Sequence, residues 1–270
     1  MSGIISPIVF YIDEGIVYLI TGGGSGIGKA LAFALAKRNK QVFVVGRREN
    51  LLQETASLSS NIHYLCADVS TPQGRELVKS SLSAIPKING LINNAGTLEP
   101  TLLLKDVPFA EWHQALNTNI DDAALFLPQL LYDKLSGGRV LNVGSAAAYF
   151  PIKGWGTYCV SKAALSMLTR CWQLESDSPA FTSVMPGIID THMQAIARNG
   201  LNLDPEQVNF YRRLKDHNRL ISPETVAEFF IWLLLDIDKE TYVSKEWDIY
   251  DTTHHSAWLK PPHQVLHWEF

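Results

Sequence analysis

Residues 21–28 read Thr-Gly-Gly-Gly-Ser-Gly-Ile-Gly, five glycines in eight positions. The apolar, β-branched run Ile16-Val17-Tyr18-Leu19-Ile20 precedes them, and Lys29-Ala30-Leu31-Ala32-Phe33-Ala34-Leu35-Ala36 follows. The order is strand, glycine turn, helix. Such a turn lets the backbone reverse tightly and approach a diphosphate, whose charge rests on the free amides at the helix start. An ordinary glycine-rich turn needs neither the buried-type strand nor the Ala/Leu helix, so the order points to a dinucleotide.

The rest of the chain keeps the alternation. Strand patterns fall at 41–45, 62–65, 90–92, 140–143 and 181–184, and helix patterns at 49–58 and 73–84. One long helix is predicted over 109–135, where Phe109, Trp112, Leu116, Ile120, Ala124, Leu127, Leu131 and Leu135 recur every three or four residues. Pro128 should kink it, since an internal proline costs about 3 kcal/mol relative to alanine. These patterns predict an α/β fold: a Rossmann-like doubly wound parallel sheet in a three-layer α/β/α single domain. Hydrophobic residues at 46% suffice for a large core, and no linker or charge block divides the chain. A net charge of −4 without a basic stripe argues against nucleic acid as a partner.

Residues 1–15 contain the apolar patch Ile8-Val9-Phe10-Tyr11-Ile12, without a basic segment before it or a small-residue cleavage site after it. Neither a signal peptide nor a membrane span is expected; an extra edge strand and a segment of unknown role both remain open. Cys66, Cys159 and Cys171 are odd in number and lack metal-ligand spacing, which suggests a reducing compartment and no metal.

A second constellation carries chemistry. Tyr158 and Lys162 stand four apart within Gly-Trp-Gly-Thr-Tyr-Cys-Val-Ser-Lys-Ala-Ala, with Ser145 thirteen positions upstream. On a helix over 157–176 the phenol and ammonium share a face, and the cation is expected to lower the phenol's pKa and fit it for proton transfer to or from an oxygen. A Tyr-x-x-x-Lys pair alone is more often a solvated helix face. Ser145 follows the strand pattern at 140–143, at the C-terminal sheet edge where such folds bind ligands.

Taken with Asn93-Asn94-Ala95-Gly96, Asn119 and Pro186-Gly187-Ile188-Ile189-Asp190-Thr191, these motifs resemble the short-chain dehydrogenase/reductase family over about residues 16–251. The resemblance implies an NADP-dependent oxidoreductase acting on CH–OH/C=O groups. Tyr158 would be the general acid/base, Lys162 would hold the nicotinamide ribose, Ser145 would bond the reacting oxygen, and Asn119 would anchor a water. The cofactor would rest on Gly22, Gly24, Ser25, Gly26, Ile27 and Gly28, on Asn94, Ala95 and Gly96, and on Pro186 and Gly187. Asp68 and Val69 would contact the adenine, and Ile189 and Thr191 the carboxamide and pyrophosphate.

The second strand pattern ends in Gly46-Arg47-Arg48, about 20 residues past the turn, where an NAD-binding chain offers an acid to the ribose 2′-hydroxyl. Arg47 and Arg48 can instead pair with a 2′-phosphate, which makes NADPH/NADP the expected cofactor. Many NADP-preferring relatives also carry a basic residue just before the second motif glycine; here that residue is Ser25.

Residues 192–221 are long enough for two short helices, either a substrate lid or a satellite packing cluster. Within the family the chain is similar to sepiapterin reductases and benzil-reducing carbonyl reductases. That likeness rests on Lys153-Gly154-Trp155, Asp190-Thr191-His192-Met193-Gln194, Ala197-Arg198, Asp204-Pro205 and Trp247-Asp248-Ile249-Tyr250-Asp251. It implies a small-molecule carbonyl substrate, a ketone or vicinal dicarbonyl, contacted by Ser145, Trp155, Tyr158, Met193 and Asp248, the last anchoring a pterin. It also implies a homodimer through helices at 109–135 and 157–176, in the cytoplasm. A C-terminal extension, 252–270, follows, with His254-His255 read as surface or interface. Two alternatives stand beside this reading: a reductase or alcohol dehydrogenase for an unrelated small carbonyl, and a non-catalytic nucleotide-sensing protein of the same fold.

Overall fold

The computed structural model describes residues 15–200 and 202–267. The apolar patch at 8–12, Leu201 and Trp268 lie outside these. Seven parallel strands form one sheet in the order β3-β2-β1-β4-β5-β6-β7. They are β1 (Val17–Thr21), β2 (Gln41–Gly46), β3 (Ile62–Cys66), β4 (Gly90–Asn93), β5 (Arg139–Val143), β6 (Ala180–Met185) and β7 (Trp247–Asp248). The order reverses between β3 and β4, so a crevice opens at the C-terminal ends of β1 and β4.

Strand periodicity sends alternate residues to opposite layers. Tyr18 and Ile20 of β1, with Val42 and Val44 of β2, pack under α1 (Gly26–Ala36) and a later helix, Pro223–Ile231. Val17, Leu19, Phe43 and Val45 point to the other core with Val78, Leu127 and Leu131. Helices α2 (Glu49–Ala56) and α3 (Pro72–Ser81) complete the first crossovers; Thr71 caps α3 by accepting from the Gly74 amide at 3.0 Å.

The single helix expected over 109–135 is instead α4 (Phe109–Leu116), a wide π-type turn (Asn117–Phe126), α5 (Leu127–Leu130) and a 3₁₀ turn (Tyr132–Leu135). Two causes are visible. Pro128 has no N–H for the Ala124 carbonyl, and the Trp172 indole donates to that oxygen at 3.2 Å. The wide turn carries Asn119 inward, as such turns often do at functional sites. The apolar stripe therefore divides. Ala124, Leu127, Leu131 and Leu135 are buried, whereas Phe109 is 80% exposed.

The sequence pattern at 157–176 becomes α6 (Gly156–Glu175). Beyond β6, Thr191 and Asp204 cap α7 (His192–Asn199) and α8 (Pro205–Asp216), the two short helices expected there. Helix α9 (Pro223–Ile231) starts at Ser222, whose hydroxyl accepts from the Thr225 amide at 3.1 Å. The C-terminal segment packs back on this layer. His254, read from sequence as surface, is buried among Phe229, Trp232, Trp247 and Trp258. Both its ring nitrogens are satisfied: Nε2 donates to the Asp248 carbonyl at 2.9 Å, because Nδ1 accepts from the Trp258 indole at 2.8 Å. An aromatic box with two internal partners accounts for a burial that the His-His pair alone did not reveal.

Candidate active site

The glycine turn is locked to the segment after β4 by side-chain-to-backbone hydrogen bonds. The Thr21 hydroxyl accepts from the amides of Asn94 and Ala95, at 3.1 and 3.0 Å, and the Asn94 side chain donates to the carbonyls of Thr21 and Gly22, at 2.9 and 3.2 Å. Gly22 sits at φ +68°, and a Cβ on Gly28 would stand 2.5 Å from the Gly22 carbonyl oxygen. Both positions require glycine. Thr191 reaches the same place, its methyl 3.2 Å from where a Gly26 Cβ would be. At the start of α1 no side chain caps the amides and no acid stands in the first turn, which leaves this end suited to an anion.

Arg47 and Arg48 are exposed at the end of β2. The Arg48 guanidinium donates to Ser25 Oγ at 3.1 Å, so a cation lies against the glycine turn. Asp68 bonds the Ser70 amide and hydroxyl through one oxygen, at 3.0 and 2.7 Å. The Val69 side chain is buried in the core below. Pro186 and Ile189 are buried, Gly187 takes φ +80° against Ile221, Ile249 and Tyr250, and the Tyr250 hydroxyl accepts from the Ile188 amide at 3.2 Å.

Ser145, Tyr158 and Lys162 converge where β5 ends. Ser145 accepts from the Ala147 amide at 3.2 Å, and its hydroxyl lies near enough to the Tyr158 phenol to draw that group's pKa down. Lys162 Nζ donates to the Val143 carbonyl at 2.7 Å and lies 5.6 Å from the Tyr158 ring centre. The expected lowering of the phenol's pKa is not found. Burial pushes Tyr158 up to about 12, outweighing the pull of Ser145, and burial lowers Lys162 to about 8. Desolvation disfavours each charged form, and it dominates both shifts. Asn119 spends both amide hydrogens, on the Thr97 carbonyl at 3.0 Å and on Ser161 Oγ at 2.9 Å, while its oxygen accepts from the Thr97 amide at 2.8 Å. Ser161 in turn donates to the Tyr158 carbonyl at 2.7 Å. A Cβ on Gly96 would stand 3.3 Å from Asn119 Oδ1 and 3.9 Å from Lys162 Nζ, so this glycine keeps the corridor between them open.

Trp155 meets Tyr158 edge to face at 5.9 Å and stacks on Tyr211 of α8 at 5.6 Å, nearly parallel. Leu98, Ala147, Ala197, Leu203, Val208 and Leu214 complete this cluster, with Met193 at its margin. The segment over 192–221 is thus packed onto Tyr158. A cavity of about 410 Å³ opens beside it, lined by Thr101, Leu102, His192, Ala195, Ile196 and Asn202 among others. Asp248 lies on β7 paired with Met185, and its carboxylate accepts from the Tyr250 amide at 3.0 Å. Sequence reasoning did not single out Thr21 as the pin of the loop, nor the stacking of Tyr211 on Trp155.

A family model described as short chain dehydrogenase matches residues 16–202. The chain belongs to that family. It is 32% identical over 230 residues to a benzil reductase ((S)-benzoin forming) of Bacillus cereus, covering 78% of this chain and 90% of that protein. It is 31% identical over 259 residues to the sepiapterin reductase of Meriones unguiculatus, covering 87% and 96%. A solved short chain dehydrogenases/reductase from Saccharomyces cerevisiae superimposes with a TM-score of 0.84 at 26% identity, covering 90% of this chain and all of that one. As a member of this family, the protein is an oxidoreductase. Among the described residues, no helix is long and apolar enough to cross a membrane, and no group of three or more His, Cys, Asp or Glu side chains could hold a metal ion.

Proposed function

We propose that this oxidoreductase is an NADPH-dependent carbonyl reductase acting on a ketone or vicinal dicarbonyl, benzil-like or sepiapterin-like. The observation that carries this reading is a buried phenol at the end of β5, near Ser145 and with Lys162 Nζ 5.6 Å from its ring centre. Such a phenol is protonated at neutral pH and enters the reaction as an acid, the role that reduction requires. The nicotinamide, when bound, supplies the hydride. Ser145 and Tyr158 hold the carbonyl oxygen, and the Tyr158 phenol gives its proton to the oxygen as negative charge develops there. The lysine cation steadies the resulting phenolate, and Asn119 keeps α6 in register through Ser161.

The free amides at the start of α1, the glycine turn, Asn94, Ala95 and Gly96 would hold the dinucleotide, with Thr191 closing on the pyrophosphate. Asp68 and Val69 would bracket the adenine through the turn they form. Arg47, exposed beside the loop, and Arg48, held at Ser25, favour a 2′-phosphate over a bare 2′-hydroxyl. The substrate would lie against Trp155 and Met193, with Asp248 reaching a polar edge if one is present. Two names among the relatives, benzil reductase and sepiapterin reductase, support this substrate class.

A homodimer fits the exposed apolar residues. Val160, Met167 and Leu174 of α6 recur at intervals of seven and are 46%, 56% and 88% exposed, with Phe109 of α4 also bare. An apolar row of this kind suits a two-fold partner. Cys66, Cys159 and Cys171 are free thiols, in keeping with a cytoplasmic setting. The decisive assay is NADPH oxidation with benzil, other vicinal diketones, sepiapterin and simple aldehydes. Turnover of a diketone or sepiapterin supports the reading; activity confined to simple aldehydes would replace it with a reductase of unrelated small carbonyls.

A further inference from the structure

A knot of polar side chains lies behind Ser145, and none of the site described above uses it. Its centre is Glu246, immediately before β7. One carboxylate oxygen accepts from Ser183 Oγ of β6 at 2.7 Å. The other accepts from the Tyr149 hydroxyl and from Ser166 Oγ of α6 at 3.3 Å. Tyr149 and Ser166 are themselves 2.9 Å apart, and Arg170 donates to the Tyr149 hydroxyl at 3.1 Å. A half-buried carboxylate thereby ties together β6, α6 and the loop that follows β5.

That loop is the one carrying Ser145. Its first residue, Gly144, is fixed by donation of its amide to the Val184 carbonyl at 2.8 Å. A Cβ there would stand 2.8 Å from Ser183 Oγ and 3.3 Å from Glu246 Oε1, so the backbone of Gly144 rests on the Ser183–Glu246 pair. At the far end Tyr149 is held by Glu246 and Ser166. Ser166 lies four residues beyond Lys162 on the same helix, and is therefore on the same face. Ser145 thus lies between Gly144, held by the Val184 carbonyl beside the Ser183–Glu246 pair, and Tyr149, held by Glu246 itself.

We propose that Glu246 is a positioning residue: it clamps the loop at 144–149 to α6 and so keeps the Ser145 hydroxyl beside the Tyr158 phenol. A donor displaced by a fraction of an ångström from a developing oxyanion loses much of its effect, whereas the glycine turn and the start of α1, two strands away along the same edge, touch none of these groups.

The activity arm of the test rests on the carbonyl-reductase reading; the exchange arm does not. Glu246→Gln and Tyr149→Phe should each lower kcat between about 10- and 100-fold, with KM for NADPH and Tm nearly unchanged. The double variant should lose no more than the worse single one, because both remove one clamp. Ser183→Ala, which removes a single bond, should give a smaller loss of the same kind and serves if Glu246→Gln folds poorly. By hydrogen exchange, the Ala147 amide, which donates to Ser145, should open faster in all three variants while amides of β1 and α1 keep their protection. Multiplicative kcat losses, or losses matched by weaker NADPH binding and lower Tm, would overturn the clamp. Unchanged exchange at 146–150 would overturn it even if no carbonyl is turned over by the wild type.

Discussion

Around β1, β2 and β4 the geometry is set by main-chain atoms and the few side chains that bond them; around Tyr158 it is set by side chains packed on one another. A methyl group added at Gly28 meets a carbonyl 2.5 Å away, and Gly22 is in the left-handed region, so little can change there. The cap is different. Trp155, Tyr211, Leu203 and Leu214 interlock by shape, and a volume-conserving exchange in such a cluster usually costs less than about 1.5 kcal/mol. One end of the molecule can hold one kind of ligand for chemical reasons, while the other can be refitted by repacking. The first end therefore speaks of a dinucleotide and the second speaks less clearly of a substrate.

The largest effect should come where the two regions meet. Tyr158→Phe keeps the ring that packs against Trp155 and removes only the proton donor. A general acid typically contributes 10² to 10⁴ in rate, so kcat should fall by about that factor while NADPH affinity is preserved. Stopped-flow turnover beside a fluorescence titration of NADPH measures both. Retention of more than about a tenth of wild-type kcat would take the phenol out of the chemistry.

The next effect probes the main-chain side. Arg47→Asp places a carboxylate where a 2′-phosphate would lie, and should weaken NADPH binding by about 2 to 5 kcal/mol, the scale for disrupting a hydrogen-bonded charge contact. NADH should gain relative to NADPH, since a carboxylate accepts from a 2′-hydroxyl. Because Arg48 is held at Ser25, Arg48→Ala should have the weaker effect of the two. An unchanged ratio of kcat/KM for the two cofactors after Arg47→Asp would return Arg47 to the solvated surface.

The pH dependence of stability separates the packed region from the main-chain one. Burial holds the His254 imidazole below its ordinary value of 6.5. Between the two values the unfolded chain binds a proton that the folded chain does not, so unfolding becomes easier as pH falls. The contribution is complete above about pH 6.5 and is lost below it, as Nδ1 gains a proton and can no longer accept from Trp258. Thermal melts at falling pH should show this decline, and His254→Phe should flatten it. An equal slope in the variant would assign the decline to other groups.

How much of this was legible in the sequence follows the same division. The glycine turn, the six longer strands and the Tyr158–Lys162 helix could be read because each depends on local constraints: a positive φ, an alternating pattern, a four-residue spacing. The broken helix at 109–135 was half legible. Pro128 announced a kink, but the wide turn at Asn119 and the indole that replaces the lost donor come from residues distant in sequence. His254 was misread because adjacent histidines look solvated, and the aromatic box around them is assembled from α9, β7 and the residues after it. The phenol's upward shift could not be read either, since spacing shows the neighbouring cation and not the depth of burial.

The smallest effect expected is at Asp248, and it tests whether the adaptable side has a fixed polar contact. One carboxylate oxygen is engaged by the Tyr250 amide; the proposed pterin contact would use the other, Oδ2. Asp248→Asn keeps the size and one acceptor but removes the charge. A substrate with a guanidine-like edge, such as sepiapterin, should then lose about 1 to 3 kcal/mol in kcat/KM, the usual cost of removing a charge-assisted contact. Benzil has no such edge and should be almost unaffected. Equal losses for both would mean that Asp248 acts by holding the turn at Tyr250. If the wild type reduces benzil but not sepiapterin, the pterin contact falls while the reductase stands, because Tyr158, Ser145 and Lys162 make no demand on the far end of the substrate.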